Sequence, residues 1–405
     1  MKTARLRDIC VLNPRRPPLV RAADAPTTFV SMPSVNGDFG VVDAAEIRPF
    51  AEVAKGYTYF EKGDVLFAKI TPCMQNGKHA VAGNLIDGFG FGSTEFHVLR
   101  PRNGLLSDWL HLFLRQKSIL EAAERILTGA VGQQRVPEEF LANLEIPLPD
   151  ENTQRSEITR LRERLHETTV AVLACRGQLK NSLVFPSAIL RDAFDGHNPI
   201  TVSRVASWQS WTAKPLHELA RLESGHTPSR RHPDWWGGHV PWLSLTDIRK
   251  LHGTYAYETG EYTNDAGIAN SSARLLPLDT VCVSRTASIG FVTILGRPMA
   301  TSQDFCNWIC NPEKLDPEFL MYAFMASQNY LNELGSGAVH KTIYMPTIES
   351  FHVCAPEVAE QRRIARMVRE RLDAIQALIE GLKTHLVEIE LLPQRMLAAA
   401  FDQFR

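Results

Sequence analysis

Apolar residues recur with heptad spacing in the C-terminal part of the chain. Intervals of four and three residues alternate through Val368, Leu372, Ile375, Ile379, Leu382, Leu386 and Ile389. A displacement of 207 residues finds the same spacing, with weaker members, in Leu161, Leu165, Thr168, Val172, Cys175, Leu179 and Ser182. Each seam predicts a helix of about 50 Å, at about 1.5 Å per residue. We expect the two helices to pair as an antiparallel coiled coil; two amphipathic helices, each lying on its own domain, are the alternative.

The chain contains two copies of one repeated unit. Residues 154–194 align with residues 361–401 without a gap, and 11 of the 41 positions are identical. The identities include Gln154 with Gln361, Arg162 with Arg369, Leu179 with Leu386 and Phe194 with Phe401. Prolines bound the helical stretches at 149–186 and 356–393, as expected around a helix. A period near 200 residues is too long for a solenoid and indicates a duplicated domain.

The remainder of each copy predicts short strands. Apolar runs bounded by Gly, Pro, Asn and Asp occur at 64–70, 94–99, 239–245, 280–284 and 291–295. One helical pattern per copy interrupts them, at 107–127 and 317–334. The predicted fold class is therefore α+β with a pseudo-twofold repeat. It contains two β-rich domains, which we call the first head (1–150) and the second head (213–355). A long helix follows each head, at 151–194 and at 356–405, and residues 195–212 are a linker.

The composition is that of a globular protein with balanced charge. The 405 residues are 44% hydrophobic and 22% charged, with a formal net charge of −1. These values exclude a largely disordered protein and a global basic excess, although a local basic face is enough to bind phosphates. The sequence shows no apolar run of membrane-spanning length and no secretory signal, and its seven cysteines form no CxxC pair. We expect a cytoplasmic protein with reduced thiols and no membrane contact.

Sequence motifs for catalysis are missing. The chain has no phosphate-binding loop of the form GxxxxGK[ST] and no Glu-x-Lys triplet of the common nuclease core. The glycines at 88–92 resemble an S-adenosylmethionine loop, but no Asn-Pro-Pro-aromatic motif follows them, which favours a tight turn. Cys306 and Cys310 have no second pair nearby, which favours buried thiols over zinc. We expect no catalytic residue, metal ligand or cofactor on this chain.

The second head and the start of the helix that follows it carry short motifs in a characteristic order. They are Gly225-His226-Thr227-Pro228-Ser229, Trp235-Trp236-Gly237-Gly238, Val240-Pro241-Trp242-Leu243, Ser284-Arg285-Thr286-Ala287-Ser288-Ile289-Gly290, Ala300-Thr301-Ser302-Gln303-Asp304 and Glu360-Gln361-Arg362-Arg363-Ile364. This order resembles that of the specificity subunit of Type I restriction–modification systems, and the resemblance covers essentially the whole chain. The first head departs from it, because it lacks the Thr-Pro-Ser and Trp-Trp-Gly elements. It keeps Ser93-Thr94-Glu95-Phe96, Thr128-Gly129-Ala130 and Pro137.

The resemblance implies a DNA-binding subunit of a restriction endonuclease and adenine-methyltransferase complex, without catalytic activity of its own. Each head would recognise one half of a bipartite double-stranded DNA target, and the paired helices would set the gap. The implied partners are two methyltransferase subunits, docked on the helices, and restriction–translocase subunits. These partners would bring S-adenosylmethionine, ATP and Mg²⁺. A modification enzyme, and a scaffold whose heads bind protein, are the alternative functions.

Candidate DNA contacts are polar and basic side chains on loops, since such groups recognise base edges and phosphates. In the first head they are Lys69, Gln75, Asn76, Lys78, His79, Gln133, Gln134 and Arg135. In the second head they are Arg230, Arg231, Arg285, His340, Lys341, Thr342 and Tyr344. A solvated polar turn is the alternative for each of them. The arginine-rich helix starts at 155–164 and 362–371 are open to three interpretations: phosphate binding, partner binding or a solvated face.

Overall fold

The heptad pattern forms the two longest helices described, Glu151–Ser182 and Val358–Asp402, here named the central helix and the C-terminal helix. In this computed structural model, residues 3–130, 134–202, 207–208, 211–336 and 341–404 are described. All the predicted seam residues are buried or half-buried, and most residues between them are exposed. Tertiary packing of the apolar stripe therefore accounts for the stability of these helices.

The C-terminal helix continues through Pro393, the proline that bounds the helical stretch in the sequence, and reaches Asp402, inside the predicted range 356–405. A proline inside a helix removes one backbone hydrogen bond and costs about 3 kcal/mol. The turns that follow bury Leu397 and Phe401 in a hydrophobic core, and this burial offsets the cost. In the first copy the helix stops at Ser182, and a separate helix, Phe185–Ala193, has the equivalent proline in its first turn, where proline is tolerated.

The chain divides into two compact units. The first unit is Met1–Gln178 with Leu382–Arg405, and the second is Leu179–Gly381. Each unit therefore contains one head together with a part of each long helix. The unit boundaries fall inside the helices, whereas the sequence placed domain boundaries at the helix starts.

Within the first unit the two helical segments run antiparallel. Thr168 Oγ1 lies 3.9 Å from Met396 Sδ, and Cys175 Sγ lies 3.6 Å from the carbonyl oxygen of Leu382. Residue numbers rise along one segment as they fall along the other, which is the antiparallel pairing that the heptad seams predicted. Both helical segments are therefore integral parts of the first unit.

Two four-stranded sheets and two short ladders form the described strands of the first head. The first sheet has the order Glu46–Pro49, Pro26–Val30, Phe89–Gly92, Thr58–Glu61, and the second has the order Cys10–Leu12, Phe96–Pro101, Val65–Ala68, His79–Val81. The ladders pair Thr3–Arg5 with Glu145–Pro147 and Val35–Asn36 with Val41–Val42. The α-helices of this head are Leu6–Ile9, Phe50–Val53, Ser107–Leu114, Lys117–Glu124 and Glu138–Asn143, and a 3₁₀ turn covers Ile86–Gly88. The helix expected at 107–127 is two helices, because Gln116 between them has an extended backbone.

The described strands of the second head form sheets of different sizes from those of the first. Its five-stranded sheet has the order Ala220–Ser224, Phe305–Cys310, Thr280–Ser284, Val292–Leu295, Tyr255–Ala256, and a three-stranded sheet has the order Glu261–Thr263, Trp236–Leu243, Ala300–Thr301. Its α-helices are Leu245–Leu251, Asp265–Ala269, Pro317–Ala326, Gln328–Leu334 and Met345–Glu349, and 3₁₀ turns cover Leu216–Glu218 and Pro233–Trp235. The helix expected at 317–334 is again two helices, which meet at Ser327.

The segment 195–212 is more than the linker that the sequence predicted. A further four-stranded sheet has the order Ile200–Thr201, His352–Ala355, Trp211–Pro215, Ser207–Trp208. Ile200 is fully buried in the core of the second unit. Strand pairing with a partner about 150 residues away is a tertiary contact, and local composition could not indicate it.

Two glutamines that are identical between the copies attach the helices to the heads. Each is buried and makes three side-chain hydrogen bonds to backbone groups. The partners of Gln154 are Gly104, Leu106 and Pro149, at 2.8, 3.0 and 2.9 Å. The partners of Gln361 are Lys314, Asp316 and Pro356, at 3.1, 2.9 and 2.9 Å. Because a buried amide must satisfy its hydrogen bonds, this contact explains the identity of the two positions.

Candidate nucleic-acid interface

Three segments of the first head meet at the end of the strand Val65–Ala68. The N–H group of Lys69 donates to the carbonyl of Glu95 at 2.9 Å, and its carbonyl accepts from the N–H group of Val136 at 2.9 Å. The Arg135 and Thr128 backbones exchange hydrogen bonds of 2.8 and 3.0 Å. The predicted segments 69–79 and 129–135 therefore meet at described residues, where Lys69 and Thr71 lie beside Gln134 and Val136.

The second head has the same backbone arrangement. The N–H group of Arg285 donates to Asp304 at 2.8 Å, and its carbonyl accepts from Ile343 at 2.9 Å. Thr342 and Ser336 exchange hydrogen bonds of 2.9 and 3.2 Å, as Arg135 and Thr128 do in the first head. The two heads thus present their candidate residues on one shared backbone frame, which we call the loop frame. Side chains at equivalent places on the loop frame differ between the heads.

The loop frame of the first head is a cluster of opposite charges. Arg135 donates to Glu95 from Nε at 2.8 Å and from Nη2 at 2.7 Å. The hydrogen bonds from Arg135 hold the pKa of the Glu95 carboxyl below its usual range. Lys69 is half-buried beside them, and burial lowers the pKa of its ammonium group. Gln134 is half-buried, and its carbonyl accepts from the N–H group of Thr71 at 3.0 Å.

His79 is a core residue, and its prediction as a DNA contact is wrong. Its ring is fully buried and stacks on Phe67 with ring centroids 4.0 Å apart. Burial holds the pKa of His79 well below its usual range. His111 is also buried, and burial lowers its pKa to about 3. Both imidazoles are therefore neutral parts of the first unit. Lys78 before it and the exposed-loop interpretation of the segment 69–79 hid this burial, although Ala80 and Val81 follow His79 in a short strand.

The rest of the segment 69–79 divides into structural and exposed positions. The Lys78 ammonium donates to the carbonyls of Met32 and Val35 at 3.0 and 3.1 Å, so it joins two loops rather than facing DNA. Gln75 is exposed and donates to Glu124 Oε1. Asn76 is exposed. Of these, Gln75 and Asn76 remain candidates for contact with a ligand.

In the second head, Arg285 joins two loops, and two other candidate residues near it are exposed. Its Nε donates to the carbonyl of Gln303 at 3.1 Å, and its Nη1 donates to the carbonyl of Ile343 at 3.4 Å. Lys341 and Tyr344 are exposed beside it. Thr342 is half-buried next to Thr286, with the two hydroxyl oxygens 3.5 Å apart. Gln133 and His340, which occupy equivalent positions in the repeat, lie outside the described residues.

Arg230 is committed to contacts inside the second head. Its Nη1 and Nη2 donate to the two carboxylate oxygens of Glu261 at 2.6 and 2.8 Å, and its guanidinium lies 3.7 Å from the centre of the Trp236 ring. These are the atoms with which an arginine recognises guanine, so the prediction of Arg230 as a base contact is not supported by this geometry. Arg231 is exposed and makes no ion pair with a described residue, so its guanidinium is available to bind a phosphate.

Most of the arginines at the helix starts form salt bridges within their own unit. Arg162 pairs with Asp108, and Arg369, its equivalent in the repeat, pairs with Glu318 at 2.7 Å. Arg371 pairs with Asp192 at 2.8 Å. All three arginines are about half exposed, and such pairs contribute about 0–1 kcal/mol each. Internal pairing is a fourth role, which the sequence interpretations did not include.

One turn that our sequence predictions omitted lies against each loop frame. It covers residues 93–95 in the first head and 302–304 in the second. Thr94 and Gln303 are its exposed members. Both belong to motifs that carry the family resemblance, but periodicity and composition gave no reason to place them at a binding surface. The backbone contact of Glu95 with Lys69, and of Asp304 with Arg285, reveals that position.

Comparison with known proteins decides the family. A family model described as the Type I restriction modification DNA specificity domain matches residues 1–168 and 209–390, which is more than half of the chain. The chain belongs to this family. The order of motifs in the second head predicted it, and the two matched regions correspond to the two copies of the repeat.

Relatives in the specificity-domain family include curated subunits of two bacteria. The Type I restriction enzyme EcoEI specificity subunit of Escherichia coli is 34% identical over 186 residues, which is 44% of this chain and 31% of that protein. The EcoAI specificity subunit of the same organism is 35% identical over 164 residues, 39% of this chain and 28% of that protein. The match spans about a third of the length of these relatives. The HindI specificity subunit of Haemophilus influenzae is 22% identical over 340 residues, 68% of this chain and 73% of that protein.

Solved structures share the fold. A chain from a structure concerned with complex assembly and conformational transition of the type I R-M system has a TM-score of 0.70 and 16% identity, and the match covers 99% of this chain and 97% of that one. The HsdS subunit from Thermoanaerobacter tengcongensis has a TM-score of 0.66 and 16% identity, with 99% and 96% covered. These likenesses confirm the predicted fold class, in which helices and strands are mixed and long helices are present.

Among the described residues, no group of His, Cys, Asp and Glu side chains is arranged to hold a metal ion. Within the same part of the chain, no helix has the length and apolar character needed to cross a membrane.

Proposed function

We propose that this chain is the DNA sequence-specificity subunit of a Type I restriction–modification complex. Each head recognises one half of a bipartite double-stranded target. The long helices set the gap between the halves and dock two methyltransferase subunits, which restriction–translocase subunits join in the cytoplasm. Catalysis belongs to these partners, which bring S-adenosylmethionine, ATP and Mg²⁺.

The shared loop frame is the observation that carries this proposal. Arg285 and Lys69 hold the same backbone hydrogen bonds in the two heads, yet the side chains displayed around them differ. A duplicated fold that keeps its backbone and varies its polar side chains is suited to two different targets of one chemical class. Exposed amides near the first frame, on Gln75 and Asn76, and an exposed cation and amide at the second, on Lys341 and Gln303, match the phosphates and base edges of DNA. A rigid helical segment in each unit suits a recognition site in two parts.

Methylome sequencing of cells with and without this gene, alongside its partner genes, tests the proposal. We expect a methylated bipartite motif that disappears when the gene is deleted. Binding of purified protein to a duplex with this motif should weaken as salt rises, because phosphate contacts release counterions. If no motif is lost and duplex binding is absent or independent of salt, the scaffold function replaces this proposal.

A further inference from the structure

The turn at 93–95 and the turn at 302–304 are held by the same set of hydrogen bonds. The hydroxyl of Ser93 accepts from the N–H group of Glu95 at 3.2 Å, and the hydroxyl of Ser302 accepts from that of Asp304 at 3.2 Å. The N–H group of each serine also donates to a neighbouring strand, at 3.1 Å in the first head and 3.0 Å in the second. The backbone of the turn is therefore fixed in the same way in both heads.

One residue at the tip of each turn is exposed, and this residue differs between the heads. It is Thr94 in the first head and Gln303 in the second, while the serine and the acidic residue on either side are buried or half-buried. A rigid support that exposes a variable polar side chain is a suitable place for sequence readout. Most protein contacts to DNA position the protein, and only those to base edges distinguish sequences.

Gln303 is connected to the candidate loops of the second head. The Thr227 hydroxyl donates to its Oε1. Arg285 donates from Nε to its backbone carbonyl at 3.1 Å and from Nη1 to the carbonyl of Ile343. The loops of Thr227 and Arg285 thus both contact Gln303, and Arg285 also contacts the loop of Ile343. The Nε2 of Gln303 makes no hydrogen bond to any residue that the structure describes, so both of its N–H groups are available to a ligand.

We propose that Gln303 is a specificity-determining residue of the second head and reads an adenine in the major groove, an inference that rests on the proposed function. A glutamine amide recognises adenine in a bidentate way, with Nε2 donating to N7 and Oε1 accepting from the exocyclic N6. Thr227 occupies one of the two lone pairs of Oε1 and leaves the other for the base.

Thr227 and Arg285 are positioning residues in this arrangement. The Thr227 hydroxyl restricts rotation of the Gln303 amide, so less side-chain freedom is lost when DNA binds. Arg285 fixes the backbone from which Gln303 projects. In the first head the side chain at the tip is the shorter Thr94, which offers one hydroxyl and one methyl group. This difference between Thr94 and Gln303 predicts that the half-site of the first head has a different base preference at the equivalent position.

The test is methylome sequencing of cells that carry the complete system with Gln303→Ala. We expect one adenine of one half-site to become degenerate, with discrimination reduced on the order of 10- to 100-fold. The half-site of the first head serves as an internal control and should not change. Gln303→Glu should shift the preference at the same position from adenine to cytosine, because a carboxylate accepts from the cytosine N4 amino group.

Variants of Thr227 separate positioning from general structure. Thr227→Val should weaken discrimination at the same base. Thr227→Ser, a separate variant that keeps the hydroxyl, should retain the discrimination of the wild-type protein. A matched measurement compares binding of the purified complex to duplexes that carry each of the four bases at that position. Selective loss of the adenine preference supports the inference.

Two results overturn the inference. One is a motif that stays unchanged in Gln303→Ala and Gln303→Glu. The other is a uniform loss for all four bases, which would assign Gln303 to backbone contact or to folding. Failure of the proposed function is distinguishable, because then the wild-type chain itself would give no bipartite motif.

Discussion

Phe401→Ala should destabilise the first unit, although position 401 lies at the far end of the chain from the first head. The Phe401 side chain is fully buried, and its ring centroid lies 4.3 Å from that of Trp109 and 5.4 Å from that of Phe113. Truncation of a fully buried phenylalanine costs about 3–5 kcal/mol, since apolar burial is lost and a cavity remains. For a unit of this size, each kcal/mol lowers the melting temperature by about 2–4 °C. We therefore expect the first unit to melt about 6–20 °C lower.

The matched control is Phe194→Ala, the equivalent position in the repeat. Phe194 is fully buried in the second unit, with its ring centroid 5.6 Å from that of Phe319. Hydrogen exchange measured by mass spectrometry resolves peptides from the two units, so it can assign the loss of stability to one of them. Phe401→Ala should accelerate exchange in the first head, and Phe194→Ala in the second.

Two outcomes would refute this reasoning. Faster exchange confined to the second head in Phe401→Ala would show that the C-terminal turns do not complete the core of the first head. A loss below about 1 kcal/mol would show that the site collapses around the missing ring, which contradicts the close ring contacts on which the magnitude rests.

Three further predictions concern the helices, acid stability and phosphate binding. Deletion of one heptad from both long helices should change the gap of the methylated motif and leave the half-sites unchanged; altered half-sites would contradict the spacing role. Stability of the first unit should fall as pH drops below about 6.5, because the native pKa values of His79, His97 and His111 lie below that of an unfolded histidine. Between its unfolded and native pKa values, each such histidine contributes a slope of about 1.4 kcal/mol in unfolding free energy per pH unit. His111→Gln should therefore make the unfolding free energy, measured by urea titration at several pH values, depend less on pH. An unchanged dependence would argue against a contribution from His111. Arg231→Ala should weaken binding equally for all sequences and reduce the salt slope by about one, and a sequence-dependent loss would instead indicate base contact.

The loop positions show how far local pattern predicted the candidate site. The order of polar residues placed Lys69, Arg135 and Arg285 on loops. The structure brings the loops of Lys69 and Arg135 together on the loop frame of the first head, and Arg285 lies on the loop frame of the second. The same reasoning placed His79 with them, although it is buried. Sequence letters identify side chains that are able to bind DNA, but exposure depends on which strands cover them. Arg230 shows the same limit, because its partner Glu261 lies 31 residues away.

The amino-acid sequence by itself determined the duplication, the two long helices and the family. Heptad spacing and repeated identities are local or periodic features, so they can be recognised without knowledge of the fold. Only the tertiary structure decided that helix continues through Pro393 and that Phe401 completes a core with Trp109, a residue 292 positions away. It also placed Gln303 beside Thr227 and Arg285. These features depend on contacts between distant segments, whose burial offsets the local cost of a helix proline and fixes which polar groups stay exposed.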